Sequence, residues 1–133
     1  MVIDKNLALK LWRDVYGDKL FVQDCFGYWM YRDAYSNVPV VIKDHLGGPN
    51  NYDYSWNIDH IRPKSSFRNE SDADDFNNFE LMHRVNNLEK SDNYPVFTSN
   101  DHIYRVVPNN YGGYGIADAS GRRIGWKKDG RHY

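Results

Sequence analysis

The sequence has a single cysteine, Cys25, and it lacks an apolar run long enough to cross a membrane. One cysteine cannot form an internal disulfide, and it excludes a zinc site built from paired cysteines. Spanning a bilayer takes about 20 consecutive apolar residues. The opening segment, 1–12, also lacks the basic leader and the small-residue cleavage site of a signal peptide. The sequence therefore predicts no membrane partner and a cytoplasmic location.

An excess of charge of either sign is also missing. The 17 Lys and Arg residues nearly balance the 18 Asp and Glu residues, which gives a formal net charge of -1. This balance excludes a strong long-range attraction for a polyanion, so any contact with nucleic acid must be local. The most basic stretch, 122–131, is either a solvated tail or a strand that contacts phosphates.

Aromatic residues are abundant, at 16% of the chain, which is typical of a globular domain with a Tyr- and Trp-rich interior. A length of 133 residues fits one domain over 1–133 with one active site. Apolar residues at intervals of four predict a helix over 4–16, capped by Asp4 and ended by Gly17. Two short strands, 21–24 and 28–31, are predicted to form a hairpin.

Turn-forming residues divide the remainder of the chain. The stretch 46–54 is predicted to be an exposed loop that leads into a strand containing Trp56 and Ile58. The polar stretch 66–75 is predicted to be a loop, and 76–90 a short strand followed by a helix. Three short β segments follow, at 103–107, 114–116 and 123–126. These elements predict the α+β fold class.

Two polar clusters indicate chemistry. Asp59 directly precedes His60 at the end of an apolar strand, where neighbouring side chains point to opposite faces. Both can serve one site only if the backbone bends there, or if one of them reaches around a metal-bound phosphate. Downstream, His83 and Asn87 are four residues apart, which would place them on one face of a helix.

The pattern Asp-His-Ile-x-Pro-x-Ser over 59–65, followed by Asn-x-x-Lys-Ser-Asp-Asn-x-Pro over 87–95, resembles the HNH nuclease family. It is similar to the HNH domain of CRISPR-associated RNA-guided nucleases and to small stand-alone HNH proteins of bacteria and phages. The matched core, 56–95, covers near a third of the chain. The resemblance implies a ββα-metal motif at the centre of the fold, in which a β-hairpin and a helix grip one divalent metal ion.

The resemblance also implies residue roles. Asp59 and Asn87 would bind the metal ion, with Mg²⁺ favoured over Mn²⁺, and His60 would deprotonate water. The asparagine that steadies the hairpin and orients this histidine corresponds to Asn78, with Asn77 as a rival. A hard cation with oxygen ligands polarises the scissile phosphate, and a neutral imidazole accepts a proton near neutral pH.

The role of His83 stays open among a third metal ligand, a contact to a substrate phosphate and a packed residue. Basic residues in and around the motif are candidates for holding the phosphates beside the cut. They are Arg62, Lys64, Arg84 and Lys90.

The function that follows is hydrolysis of phosphodiester bonds, one strand at a time, with DNA favoured over RNA as the substrate. The alternative is a catalytically inactive nucleic-acid-binding module with the same fold, or a subunit of a larger machine. The sequence identifies no protein partner. One feature departs from the family pattern, because 66–75 carries four acidic residues that would repel DNA beside the groove. We interpret this stretch as a solvated surface loop.

Overall fold

The computed structural model describes residues 3–44 and 47–125. Over these ranges the chain has an α+β fold of two α-helices, three short 3-10 helices and ten short β-strands. Trp126 and the basic residues after it lie outside the described residues. The helices and strands, in chain order, are α1 (Lys5–Tyr16), β1 (Phe21–Gln23), β2 (Trp29–Tyr31), β3 (Val41–Ile42), β4 (Tyr52–Asp53), β5 (Trp56–His60), β6 (Phe79–His83), α2 (Arg84–Lys90), β7 (Val96–Ser99), β8 (His102–Pro108), β9 (Tyr114–Asp118) and β10 (Arg123–Ile124). The 3-10 helices are Lys64–Ser66, Glu70–Ala73 and Phe76–Asn78.

The N-terminal helix forms as predicted. The Asp4 carboxylate accepts a hydrogen bond from the backbone N–H of Leu7 at 2.8 Å, which caps α1. Gly17 ends the helix with a φ of 66°, a conformation that glycine adopts without steric cost. The buried face of α1 consists of Ala8, Leu11, Trp12 and Val15. None of the described helices has the length and apolar character needed to span a membrane.

The predicted hairpin is also confirmed, as β1 pairs antiparallel with β2. The stretch predicted to be an exposed loop, 46–54, is different at its end. Tyr52 and Asp53 form β4, which pairs with β3, and the side chain of Tyr54 is completely buried. Gly, Pro and Asn dominate the start of this stretch and suit a loop. Its aromatic end instead packs into the core, and the turn-forming residues alone do not predict this burial.

The centre of the fold is the antiparallel pair of β5 and β6, with α2 directly after β6. The register places Asp59 opposite Glu80 and His60 opposite Phe79. The predicted order of loop, short strand and helix over 66–90 is therefore confirmed. The expectation that His83 and Asn87 share a helical face is wrong, because His83 is the last residue of β6 and the N-cap of α2.

The C-terminal part forms a four-stranded antiparallel sheet in the order β10-β9-β8-β7. The three predicted β segments correspond to β8, β9 and β10, whereas β7 was not predicted. One apolar core packs α1 and the hairpin against Trp56, Ile58 and Leu81. A second core joins Ile61 and Met82 to the C-terminal sheet. The β5 and β6 pair, with Ile61 directly after β5, therefore contributes to both cores, which fixes the strand end that carries Asp59 and His60.

Candidate functional site

An open cavity of about 410 Å³ lies at the end of β5, beside the last turn of α2. Three of the side chains predicted to act together line it, namely Asp59, His60 and Asn87. The other lining residues come from β5, from the loop after it and from the end of α2. They are Ile58, Pro63, Lys64, Ser65, Glu70, Ser91 and Asp92.

The end of the strand explains how two adjacent residues reach one cavity. Asn57 and Asp59 lie on the face of β5 that α2 covers, since Asn57 accepts a hydrogen bond from Asn87, and Asp59 pairs with Lys90. His60 points the other way, as strand alternation requires, and its ring meets Phe79 edge-on at 5.3 Å. Because β5 ends at His60, the cavity is open to both side chains.

Asp59 and Lys90 form a buried ion pair. The Lys90 ammonium lies 3.1 Å from Oδ2 of Asp59 and 3.3 Å from Oδ1, and it also donates a hydrogen bond to the His60 carbonyl. Burial raises the pKa of the Asp59 carboxyl to about 6, although the neighbouring ammonium acts in the opposite direction. Lys90 is completely buried, so it does not hold the surface position predicted for a contact to a substrate phosphate.

Arg62, also predicted to contact phosphate, is held inside the fold. Its guanidinium donates hydrogen bonds to the Tyr114 hydroxyl at 2.6 Å and to Ser66 Oγ and O at 3.0 and 2.9 Å. Its central carbon lies 4.1 Å from the centre of the Phe67 ring. These contacts anchor the loop after β5 to the C-terminal sheet, and Arg62 does not line the cavity.

Arg84 is engaged in the same way. Its guanidinium donates to Ser55 Oγ and to Asp53 Oδ2, both at 2.9 Å. Burial alone would raise the pKa of Asp53, but hydrogen bonds from Ser55, Arg84 and Val40 lower it to about 2. Arg84 thus forms an ion pair between β4 and the start of α2, and it does not line the cavity. Of the four predicted phosphate contacts, only Lys64 lines the cavity.

His83 is not at the cavity. Its Nε2 donates to the Asp53 carbonyl at 2.6 Å, and its Nδ1 accepts from the backbone N–H of Val85 at 3.1 Å. The residue is 2% exposed. With both ring nitrogens hydrogen-bonded to backbone groups, His83 caps α2 and has no nitrogen available for a metal ion. The packed role, one of the three left open, is the one this geometry supports.

Asn78 holds the loop that follows β5. Its Oδ1 accepts from the backbone N–H of Arg62 at 2.9 Å, and its Nδ2 donates to the carbonyls of Arg62 and Ala73 at 3.1 and 3.0 Å. It makes no direct bond to the ring of His60. The rival residue, Asn77, donates instead to the Tyr111 carbonyl. Asn78 therefore holds the backbone at Arg62, two residues after His60, and at Ala73.

Sequence reasoning missed Asp74. Its Oδ1 lies 2.8 Å from Nε2 of His60 and 3.7 Å from Nζ of Lys64. The hydrogen bond from His60 lowers the pKa of the Asp74 carboxyl. The stretch 66–75 was interpreted as a solvated loop, and for Asp74 this is wrong, because its side chain is only 16% exposed. Its placement depends on Asn78 holding the Ala73 carbonyl, a contact that leaves no periodic signal in the sequence.

The donor set at the cavity suits one hard cation. Asp59 Oδ2 is buried with the Lys90 ammonium 3.1 Å away, and Asn87 lines the same cavity with a side-chain amide. Mg²⁺ commonly takes one or two protein oxygens and completes its shell with water and phosphate oxygens. Over 3–44 and 47–125, no three His, Cys, Asp or Glu side chains are grouped to hold a metal ion. Any such ion would therefore rely on Asn87, and it would share Asp59 with the Lys90 ammonium.

No protein-family model matches the chain, and neither the comparison with curated proteins nor that with solved structures gives a significant match.

Proposed function

We propose that this chain is a metal-dependent endonuclease of the HNH type that hydrolyses DNA phosphodiester bonds, one strand at a time. One observation carries the proposal: Asp59, His60 and Asn87, which the resemblance links to a single reaction, line the same cavity. The antiparallel β5 and β6 pair followed by α2 is the order of elements that a ββα-metal motif requires. The shared cavity and the order of these elements together support the proposal.

In the proposed reaction His60 accepts a proton from the attacking water, for which an imidazole is suited near neutral pH. Asp59 and Asn87 would hold the cation through oxygen atoms. When bound, a Mg²⁺ or Mn²⁺ ion supplies polarisation of the scissile phosphate and stabilises charge on the leaving oxygen. Lys64 lies at the cavity rim, 33% exposed, where its ammonium can contact a backbone phosphate of the DNA.

Strand-by-strand cleavage follows from the number of sites. Among the described residues, Asp59, His60 and Asn87 together line one cavity, which contains one imidazole, and each hydrolysis needs one activated water. Cutting both strands would then require two binding events or two copies of the chain. The near-zero net charge predicts weak binding of DNA, with little sequence preference, unless a partner supplies targeting.

A second candidate is a nucleic-acid-binding module without catalysis, and the Asp59–Lys90 ion pair favours it. An ammonium 3.1 Å from the carboxylate already neutralises the charge that would attract a divalent cation. Such a module would bind DNA without a metal ion and with strong salt dependence. A gel-shift titration at two salt concentrations, with and without a chelator, distinguishes it from a nuclease.

The test of the nuclease is relaxation of supercoiled plasmid by the purified chain with Mg²⁺, with Mn²⁺ or with a chelator. We expect the relaxed circle to appear before the linear form, only when a divalent ion is present. Asp59→Asn should remove this activity, because it removes the only carboxylate in the proposed ligand set. Nicking that persists in the chelator, or no nicking with either ion, contradicts the proposal. Cleavage of RNA but not of DNA would mean that the proposed substrate is wrong and the proposed catalytic site is right.

A further inference from the structure

We propose that Asp74 is a positioning residue for His60: its carboxylate accepts a hydrogen bond from Nε2–H, which leaves Nδ1 as the nitrogen that accepts the proton from water. The catalytic part of this inference rests on the proposed nuclease function. The hydrogen bond itself does not, so the two can be tested separately.

The direction of the bond follows from the chemistry of its two partners. An ionised carboxylate only accepts hydrogen bonds, whereas a neutral imidazole has one donor nitrogen and one acceptor nitrogen. At 2.8 Å from Oδ1 of Asp74, Nε2 must therefore carry the hydrogen. Among the described residues Nδ1 of His60 has no hydrogen-bond partner. The imidazole is thus held with its basic nitrogen unoccupied, in a side chain that lines the cavity.

The surroundings of Asp74 hold it in place. Asn78 binds the carbonyl of Ala73, the residue before Asp74, and both backbone polar groups of Arg62, two residues after His60. One buried amide therefore fixes the backbone beside each member of the pair. The backbone N–H of Asp74 also donates to the Ser71 carbonyl at 3.1 Å. The 3-10 helix that ends at Ala73 thus presents the carboxylate to the imidazole.

The arrangement has a general chemical purpose. A carboxylate that binds one imidazole nitrogen fixes the tautomer and the orientation of the ring, and it stabilises the cation that forms when the other nitrogen takes a proton. Lys64 Nζ, 3.7 Å from the same oxygen, further favours the ionised carboxylate. The acidic stretch 66–75, expected to repel DNA, thereby contributes the carboxylate that positions His60.

The first test observes the hydrogen bond without any cleavage. In the full chain with ¹⁵N-labelled histidine, a protected Nε2–H of His60 should give a downfield proton signal, assigned by its loss in His60→Gln. Asp74→Ala should abolish this signal, and the isosteric Asp74→Asn should weaken it. Asp72→Ala removes an exposed acid from the 3-10 helix just before Asp74 and should leave the signal unchanged. A signal that is absent from the wild type, or that persists in Asp74→Ala, overturns the proposal.

The second test measures nicking by the same variants. Asp74→Ala should lower kcat by about 10- to 100-fold, as expected when a carboxylate partner of a functional imidazole is removed. KM should change little, because Asp74 is not placed to contact the DNA. If the wild type nicks and Asp74→Ala nicks with the same kcat, the catalytic role of Asp74 is overturned. If the NMR signal behaves as expected and the wild type cuts no nucleic acid, the positioning is supported and the nuclease function is the part that falls.

Discussion

Replacing His60 with alanine is expected to lower the rate of plasmid nicking by about 10²- to 10⁴-fold, the range for a lost general base. The His60 side chain is 19% exposed, and among the described residues it hydrogen-bonds to Asp74 and meets the Phe79 ring edge-on, so its removal should change the free energy of unfolding by no more than about 1 kcal/mol. The two quantities are measured by initial rates on supercoiled DNA and by urea unfolding of the same preparation.

His102→Ala is the matched control for this prediction. His102 is an exposed histidine at the start of β8, so the same substitution there should leave the nicking rate unchanged. If His60→Ala nicks at the rate of the wild type, then His60 is not the base, or the activity belongs to a contaminant. If both histidine variants are equally slow, the effect is not specific to the cavity.

The largest effect on stability is expected from Lys90→Met. The Lys90 side chain is completely buried, and its partner Asp59 is 5% exposed, so the substitution leaves a carboxylate without its cation inside the protein. Breaking one side of a buried pair typically costs about 3–5 kcal/mol. We expect a loss of this size in urea unfolding. The double variant Asp59→Asn/Lys90→Met should recover most of it, because neither position then carries a buried charge.

The same pair should make stability depend on pH in the wild type. The folded pKa of Asp59, about 6, lies above its ordinary value of 3.8, so the folded state binds the proton more tightly than the unfolded chain does. The contribution of Asp59 is therefore fully present below pH 3.8 and is lost as the pH rises through 6. Relative to the double variant, the wild type should lose stability across this interval, as followed by unfolding at several pH values. A difference that stays constant across it would mean that Asp59 is not perturbed.

Local signals in the sequence predicted the elements that frame the site. The cap at Asp4 and the stop at Gly17 define α1 through contacts within one turn, and such contacts can be inferred from neighbouring residues. The short strand before α2 was predicted because apolar residues mark it. The start of α2 was misplaced because the role of His83 as a cap depends on its own backbone conformation, which residue spacing does not reveal.

The sequence predicted which residues line the candidate site, but it did not predict the residues that surround and hold them. Asp59 and His60 are adjacent in the chain, so both side chains reach one cavity simply because the strand ends there. The basic residues could not be sorted by sequence, because their partners are distant in the chain. Arg62 binds Tyr114, 52 residues away, and Lys90 binds Asp59, 31 residues away. The same reason hid Asp74, whose partnership with His60 depends on the path of the intervening loop.

The central claim is that Asp59, His60 and Asn87 act as one catalytic site. Its most direct test is the metal-dependent nicking rate of His60→Ala/Asn87→Ala, compared with those of the wild type and of each single variant. Groups that act as a unit lose their effect together, so the double variant should be about as slow as the slower single variant. A double variant slowed by the product of the two single effects would mean that the residues act independently. That result would contradict the account.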